Sequence, residues 1–371
     1  MRFVIFTHSL VSDWNHGNAH FLRGLATELI SRECEVNIYE PRDGWSRANL
    51  LQECGRDAIV GFEQAYPRLR SNLYDLSSLN LSRALNGADV VLVHEWNSPD
   101  LVARIGTHRA NRGTYQLFFH DTHHRSATDP ETMAAYDLRH YDGVLAYGGI
   151  IRDIYLKRHM AREAWTWHEA ADTRVFFPRA ATKKSGDLVW IGNWGDDERA
   201  EELREFLIRP VQRLGLKACV YGVRYPDYAL KELAAAGIEF GGWLPNYRVP
   251  EVFAKYRVTV HVPRRPYVKA LPGIPTIRPF EALACGIPLI SAPWKDCEGL
   301  FRPGVDFLFA GDEDEMVSQL QAVLTDTDLA ASLVIHGLET IKDRHTCAHR
   351  IDELLAITGK SAELSLAGGV I

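Results

Sequence analysis

Leu271–Ser291 reads LPGIPTIRPFEALACGIPLIS. LPGIPT is a loop punctuated by Pro and Gly. Pro279–Ala284 then reads as a short helix, and Pro288–Ser291 as an apolar run of strand length. Pro279 suits the first helical position, where its missing N–H costs nothing, and Gly286 suits the position just past a helix end. A helix opening here presents free N–H groups and a partial positive charge, which together favour phosphate oxygens. Glu281 falls in the first turn, where a carboxylate can accept both hydroxyls of a ribose. Arg278 supplies the forked cation that suits phosphate. The plain alternative makes Glu281 a helix N-terminal charge and Arg278 its partner.

Outward from this stretch, strand-length apolar runs alternate with helical patterns. In the second half the strands are Leu188–Ile191, Lys217–Tyr221, Ile238–Phe240, Val258–Val262, Pro288–Ser291 and Phe307–Phe309. Helices are expected over Arg199–Leu214, Tyr228–Ala236, Pro250–Tyr256, Pro279–Ala284, Glu313–Leu324 and Ala348–Ile357. The first half repeats the pattern with Arg2–Thr7, Glu35–Glu40, Asp89–His94, Thr114–His120, Gly143–Tyr147 and Ala164–His168. Asn18–Ser31 places Phe21, Leu22, Leu25, Leu29 and Ile30 on one helical face. Residues Pro41 to Gly87 are less regular and are expected to hold short helices. This alternation predicts the α/β class, with two Rossmann-like βαβ domains facing across a cleft. Phe177–Gly186 (FFPRAATKKSG from 176) reads as a linker. The expected divisions are 1–178 and 187–345 for the two Rossmann-like domains, and 346–371 for a C-terminal helix and tail.

Composition narrows the function. With 371 residues, two domains is the natural expectation. Lys and Arg number 42 against 48 Asp and Glu, a net charge of −6 with no basic stripe, which argues against nucleic acid. The six cysteines are scattered without a Cys-x-x-Cys pair, the pattern of reduced thiols rather than a disulfide frame or a zinc site. The N-terminus reads as a first strand rather than a signal peptide, and no run approaches the ~20 apolar residues of a membrane helix. A cytoplasmic protein without an integral membrane segment is expected.

RPFEALACGIPLIS resembles the donor-binding element of glycosyltransferases with the B-type two-lobe fold (GT-B). The likeness is to the large retaining family with a Glu-x7-Glu element, and most closely to the CgeB-like, spore-maturation-type group. IEFGGWLPNYRVPEVFAKYRVTVHVP (238–263) is similar to the run that precedes this element, and the N-terminal strand, Gly-containing loop and helix to the family's start. The resemblance is tight over 237–291 and loose elsewhere. It implies that Glu281 binds the donor ribose. The first Glu of the element, which contacts the donor sugar, is replaced by Gly273, in keeping with the Gly-Ile-Pro loop of the CgeB-like group. Pro275 removes one backbone donor, leaving the amides of Thr276 and Ile277 for the diphosphate.

The resemblance also implies a donor-sugar contact for His120, in FFHDTHHR; a metal cluster is the alternative, but these ligands crowd too closely for a closed zinc site. Asn193, in WIGNWGDDER, falls where phosphate or acceptor contacts lie, while the acidic run after it reads as a helix N-terminus. Trp243 and Leu244 fall where the base is cradled, with core packing the rival for the Trp.

From the residues themselves, Arg264, Arg265 and Lys269 (VPRRPYVK) suit charge neutralisation beside a diphosphate, or a solvated loop. In the loop SDWNHGNAH, Asp13, His16 and His20 are candidate bases if configuration inverts; alternatively Asn15 or Asn18 caps the helix. His94–Glu95 ends another strand, lining the cleft or simply a loop. His345 and His349 lack the Glu of a His-Glu-x-x-His zinc motif and read as packing residues of the terminal helix. The expected function is metal-independent transfer of a sugar from a nucleoside-diphosphate sugar, as substrate, to an unidentified acceptor. No cofactor and no metal are expected. The rivals are a sugar-nucleotide epimerase and a non-catalytic nucleotide-sugar-binding or structural protein.

Overall fold

A computed structural model of the chain describes residues 1–180 and 183–359. It divides into two compact units: Met1–Glu169 together with the helix Cys347–Ile357, and Ala170–Thr346. The chain thus leaves the first unit at Glu169, ahead of the Phe177–Gly186 stretch expected to join the halves; residues 181–182 of that stretch lie outside the described residues. The C-terminal helix is not a separate piece. It packs on the helix Ala19–Ser31 of the first unit, where Arg350 donates to the His168 carbonyl at 2.9 Å.

In the first unit the described residues form a seven-stranded parallel sheet. Its strands are β1 (Arg2–Phe6), β2 (Glu35–Pro41), β3 (Ser71–Tyr74), β4 (Val90–His94), β5 (Gln116–Asp121), β6 (Gly143–Ala146) and β7 (Ala164–Thr166), in the order β3-β2-β1-β4-β5-β6-β7. All five residues of β4 are buried, as both faces of a parallel sheet must be when helices cover them. β3 lies in the region expected to be irregular. Its sequence, SNLY, carries little strand signal, and its pairing with Ile38–Pro41 of β2 holds it.

The second unit has a six-stranded parallel sheet among its described residues: β8 (Leu188–Ile191), β9 (Ala218–Tyr221), β10 (Glu239–Phe240), β11 (Val258–His261), β12 (Leu289–Ser291) and β13 (Leu308–Phe309), ordered β10-β9-β8-β11-β12-β13. Its core gathers Leu188, Trp190, Val220, Val260, Ile290 and Met316. The single helix expected over Arg199–Leu214 is broken into Ala200–Leu203, a wide π-type turn over Arg204–Ile208, and Arg209–Leu214. Pro210 is the physical cause: it has no N–H for the Phe206 carbonyl, so the turn before it opens.

Each sheet reverses its strand order once, between β1 and β4 and between β8 and β11. Ligand crevices of open parallel sheets lie outside the strand C-termini at such a reversal. Among the described residues, no helix is long and apolar enough to cross a membrane.

Candidate functional site

The reversal in the second unit brings together the ends of β8 and β11. Asn193, just after β8, accepts at Oδ1 from two guanidinium groups, Arg199 at 2.8 Å and Arg264 at 3.0 Å. Arg264 is also paired with Glu198 at 3.2 Å. Arg199 donates to the Val262 carbonyl at 3.1 Å, lies over the Trp190 ring at 5.0 Å, and keeps a buried Nε without a partner. Among the described residues it has no carboxylate in ion-pair contact. Burial, and then the charges of Arg264 and Arg278, lower its pKa to about 9. It stays charged at neutral pH, so the site holds a cation short of an anion. Sequence reasoning passed over Arg199, whose only signal was its place at the end of WIGNWGDDER.

The helix expected to open at Pro279 spans Ile277–Ala284, with Thr276 at its N-cap. It opens two residues before Pro279, so the expected start is corrected. Pro279 is the third helical residue, still among those whose N–H has no partner inside the helix. Glu281 accordingly sits in the second turn. Gly286 ends the helix as expected, at φ +65°, with Gly286 and Ile287 donating back to Leu283 and Ala282 in a Schellman cap.

Glu281 departs furthest from expectation. Its side chain is wholly buried. One carboxylate oxygen accepts from Asn246 Nδ2 at 2.6 Å, and the other from Arg278 Nη1. Buried between these two partners, the carboxylate presents no open side to a ribose in this arrangement, and Arg278 is tied to it rather than standing free. Asn246 is a partner that the sequence did not mark.

Thr276 does not cap its own helix. Ser291 Oγ donates to the Ala292 carbonyl at 2.8 Å, so it accepts from His261 Nδ1 at 2.9 Å. Burial first, then Arg199 and Arg278, lower the His261 pKa to about 3. The ring is neutral, and its Nε2 accepts from Thr276 Oγ1 at 3.2 Å. The amides of Thr276, Ile277 and Arg278 are therefore left for a ligand.

Lys269 is exposed, at the end of the helix Arg265–Ala270, and Arg265 is clamped by Glu202 at 2.8 and 3.0 Å. Neither is gathered with the three arginines. Trp243 and Leu244 are half-buried just after β10. His345 caps the end of the helix Thr327–Arg344, donates to the Leu300 carbonyl at 2.8 Å, and packs on Phe280 and Phe301. His349 lies on the following helix, so the two do not share a helix as expected.

In the first unit, the ends of β1, β4 and β5 carry a histidine cluster. His120 and His94 have ring centroids 5.4 Å apart, and His8 and His16 3.9 Å apart. With Thr7 and Asn18, His16, His94 and His120 line a small cavity whose other walls are apolar. Burial lowers His120 to about 3 and His8 to about 4, Arg125 adding to the second. It also pushes His94 and His16 well below the usual range. The rings are neutral. His120 Nε2 and Thr7 Oγ1 are buried without partners. His16 Nε2 donates to the Ser9 carbonyl at 3.1 Å, which leaves Nδ1 with the lone pair a base needs. His94 Nδ1 lies 3.0 Å from Glu95, a pairing internal to the strand end.

Asp13 is not placed as a base. Its carboxylate meets Arg23 Nη1 at 2.9 Å, and Arg23, fully buried, also donates to the Leu10 and Val11 carbonyls. This pair locks the loop. His20 is buried on the first turn of the helix Ala19–Ser31. Asn18 occupies that helix's N-cap position, yet its amide goes to Thr122 instead.

Residues 199–356 match the family model described as "Glycosyl transferase-like". No curated protein sequence matches the chain. Solved structures match along its length. A sucrose-phosphate synthase from Thermosynechococcus elongatus is 13% identical with a TM-score of 0.65, covering 100% of both chains. Anabaena HepE, in complex with UDP and glucose, is 13% identical with a TM-score of 0.66, covering 96% of this chain and 99% of its own. A glycosyltransferase from Rickettsia africae is 10% identical with a TM-score of 0.68, over 98% of each. At these identities the likeness is one of fold, and the fold is GT-B. The matched stretch begins at Arg199 and takes in Arg264, Arg278, Glu281 and the helix Ile277–Ala284.

Proposed function

We propose that the protein transfers a sugar from a nucleoside-diphosphate sugar to an acceptor hydroxyl, with the diphosphate at Arg199, Arg264, Arg278 and the free amides of Thr276–Arg278. The observation that carries this reading is Arg199, a guanidinium held by neutral partners beside two further arginines. Charge accumulates on the departing diphosphate as the glycosidic bond breaks. Fixed cations and amides already aimed at that position stabilise it without reorganising. We read the reaction as metal-independent because these cations can do what a divalent ion would otherwise do.

Phosphate oxygens compete with Glu281 for Arg278. When Arg278 turns to them, one Glu281 oxygen is released, and this gives the carboxylate its ribose-binding role. Gly273, in place of the first Glu of the Glu-x7-Glu element, supports a CgeB-like rather than a typical family member. His16 is the candidate base in the first unit and His120 the candidate sugar contact. Asn193 orders the arginines, and Trp243 and Leu244 remain the candidate base cradle.

The test is a thermal-shift screen against UDP, GDP, TDP, ADP and their sugars, since a ligand of the folded state raises its stability by RT ln(1 + [L]/Kd). It is followed by an assay for released nucleoside diphosphate with and without EDTA. Release that survives EDTA and is lost in Arg278→Ala supports the reading. Strict dependence on added Mn²⁺ or Mg²⁺ rejects metal independence, and interconversion of the sugar without release identifies an epimerase.

A further inference from the structure

The loop before the phosphate helix, LPGIPT (271–276), has one polar side chain, and Thr276 spends it on His261. The loop itself therefore offers no side chain to the hydroxyls of a donor sugar. Gly273 cannot be replaced by a residue that would. Its φ is +93°, a conformation that side chains disfavour, and its N–H is tied to the Lys295 carbonyl. A Cβ there would lie 2.8 Å from Cys297 Sγ, 2.9 Å from Glu298 Cγ and 3.0 Å from Glu298 Oε1. The space above Gly273 is thus already filled by a carboxylate side chain from the next loop.

That loop is braced. Asp296 accepts from the Leu300 and Phe301 amides at 3.0 and 2.8 Å, and Cys297 N donates to the Lys295 carbonyl at 3.0 Å. Glu298 is half-buried and lies against the loop that leads into the helix N-terminus.

We infer that Glu298 contacts the donor sugar, its carboxylate accepting hydrogen bonds from neighbouring hydroxyls of a neutral sugar. The inference rests on the nucleoside-diphosphate-sugar reading and names the residue that recognises the sugar half. A carboxylate is an acceptor with two oxygens, matched to a pair of adjacent hydroxyls, and it repels an anionic sugar. The donor is then a neutral sugar rather than a uronic acid. Gly273 is what makes the arrangement possible, because any side chain at 273 would collide with Glu298.

The test compares wild type, Glu298→Gln and Glu298→Ala by calorimetry with UDP, GDP, TDP and ADP, and then with the corresponding neutral sugar nucleotides and a uronic-acid nucleotide. Circular dichroism and melting confirm that each variant folds. The expected result is nucleoside-diphosphate affinity within about twofold of wild type, while neutral sugar nucleotides weaken by about tenfold or more. Glu298→Gln should narrow the preference for neutral over uronic-acid donors. Equal weakening of diphosphate and sugar nucleotide makes Glu298 a brace of the loop and overturns the inference, as does unchanged affinity for both. A folded wild-type protein that binds none of these ligands overturns the donor reading itself, a failure distinct from loss of sugar selectivity.

Discussion

Thr276 Oγ1 lies 3.2 Å from His261 Nε2 and gives its hydrogen to that ring rather than helping its own helix. A threonine at an N-cap ordinarily accepts from an amide one turn on, worth about 1 kcal/mol to the helix. Here that stabilisation is forgone. The third helical residue is Pro279, which has no N–H to offer, and the threonine is held aside by a neutral histidine that Ser291 orients. The helix start is left bare for an anion.

Removing the ring should therefore cost ligand affinity more than it costs the fold. In His261→Val, Thr276 is released to accept from the Arg278 amide, the second helical residue, and nucleoside-diphosphate binding is expected to fall by about tenfold, the worth of one charge-assisted hydrogen bond. Thr276→Val cannot cap and should weaken binding less. Adding it to His261→Val should recover part of the loss. Calorimetric titration of the three variants decides the matter; a double variant as weak as the two losses added together would show that no capping competition exists.

Sequence and structure part company at instructive places. The strand ends and the two-sheet alternation were legible because buried parallel strands are apolar runs of fixed length: Leu188–Ile191 is expected and observed over the same residues. β3 was not legible, because SNLY is a strand only through its neighbour β2. The helix Ile277–Ala284 opens two residues earlier than the sequence suggests because Pro279 fits several first-turn positions equally well. Arg199 and His261 gave no motif. Their meaning comes from a missing counter-ion and a relayed tautomer, both properties of contacts between β8, β11 and the loop after them. Glu281 stands out in the sequence by its place after Pro279, but its burial under Arg278 and Asn246 depends on a residue 35 positions away in sequence.

Arg199 should show a trade between stability and binding. Its charge is disfavoured by burial and by two neighbouring arginines, so replacing it by Met removes a buried, like-charged repulsion. Arg199→Met is expected to melt at a higher temperature than wild type in the absence of ligand, and to bind nucleoside diphosphates at least about thirtyfold more weakly, in the range of a lost charged partner. Paired melting and titration curves check both signs. A variant that is less stable and binds unchanged would make Arg199 a structural strut.

Acid should destabilise the protein through its neutral histidines. His120 and His261 hold folded-state values of about 3, and His8 about 4, against 6.5 for the free side chain. Such groups contribute stability that is complete above about pH 6.5 and is lost as pH falls toward their folded values, each histidine removing roughly 1.4 kcal/mol for every pH step of one in that window. Asp121, raised by burial to about 6, acts with the opposite sign between its usual carboxylate value and pH 6, so it softens the slope. Melting between pH 7 and 4 should show a steep fall in wild type and a shallower one in His120→Gln. Parallel curves for the two proteins would contradict the assignment.

Asp13 and His16 belong to one loop but should separate into structure and chemistry. Arg23 is wholly buried with Asp13 as its carboxylate partner at 2.9 Å, and its guanidinium also lies 4.9 Å from the centre of the Phe62 ring. Asp13→Asn keeps the shape but leaves that charge without its counter-ion, a change that costs about 3–5 kcal/mol when a buried pair is broken. A clear drop in melting temperature is expected, with kcat per folded molecule little altered. His16 has no such partner to strand: its Nε2 meets only the Ser9 carbonyl. His16→Asn should fold with near wild-type stability while kcat falls by about 10²-fold or more, the usual contribution of a positioned base. If instead Asp13→Asn abolishes turnover at unchanged stability, the base is Asp13 and the Arg23 pair must open during the reaction.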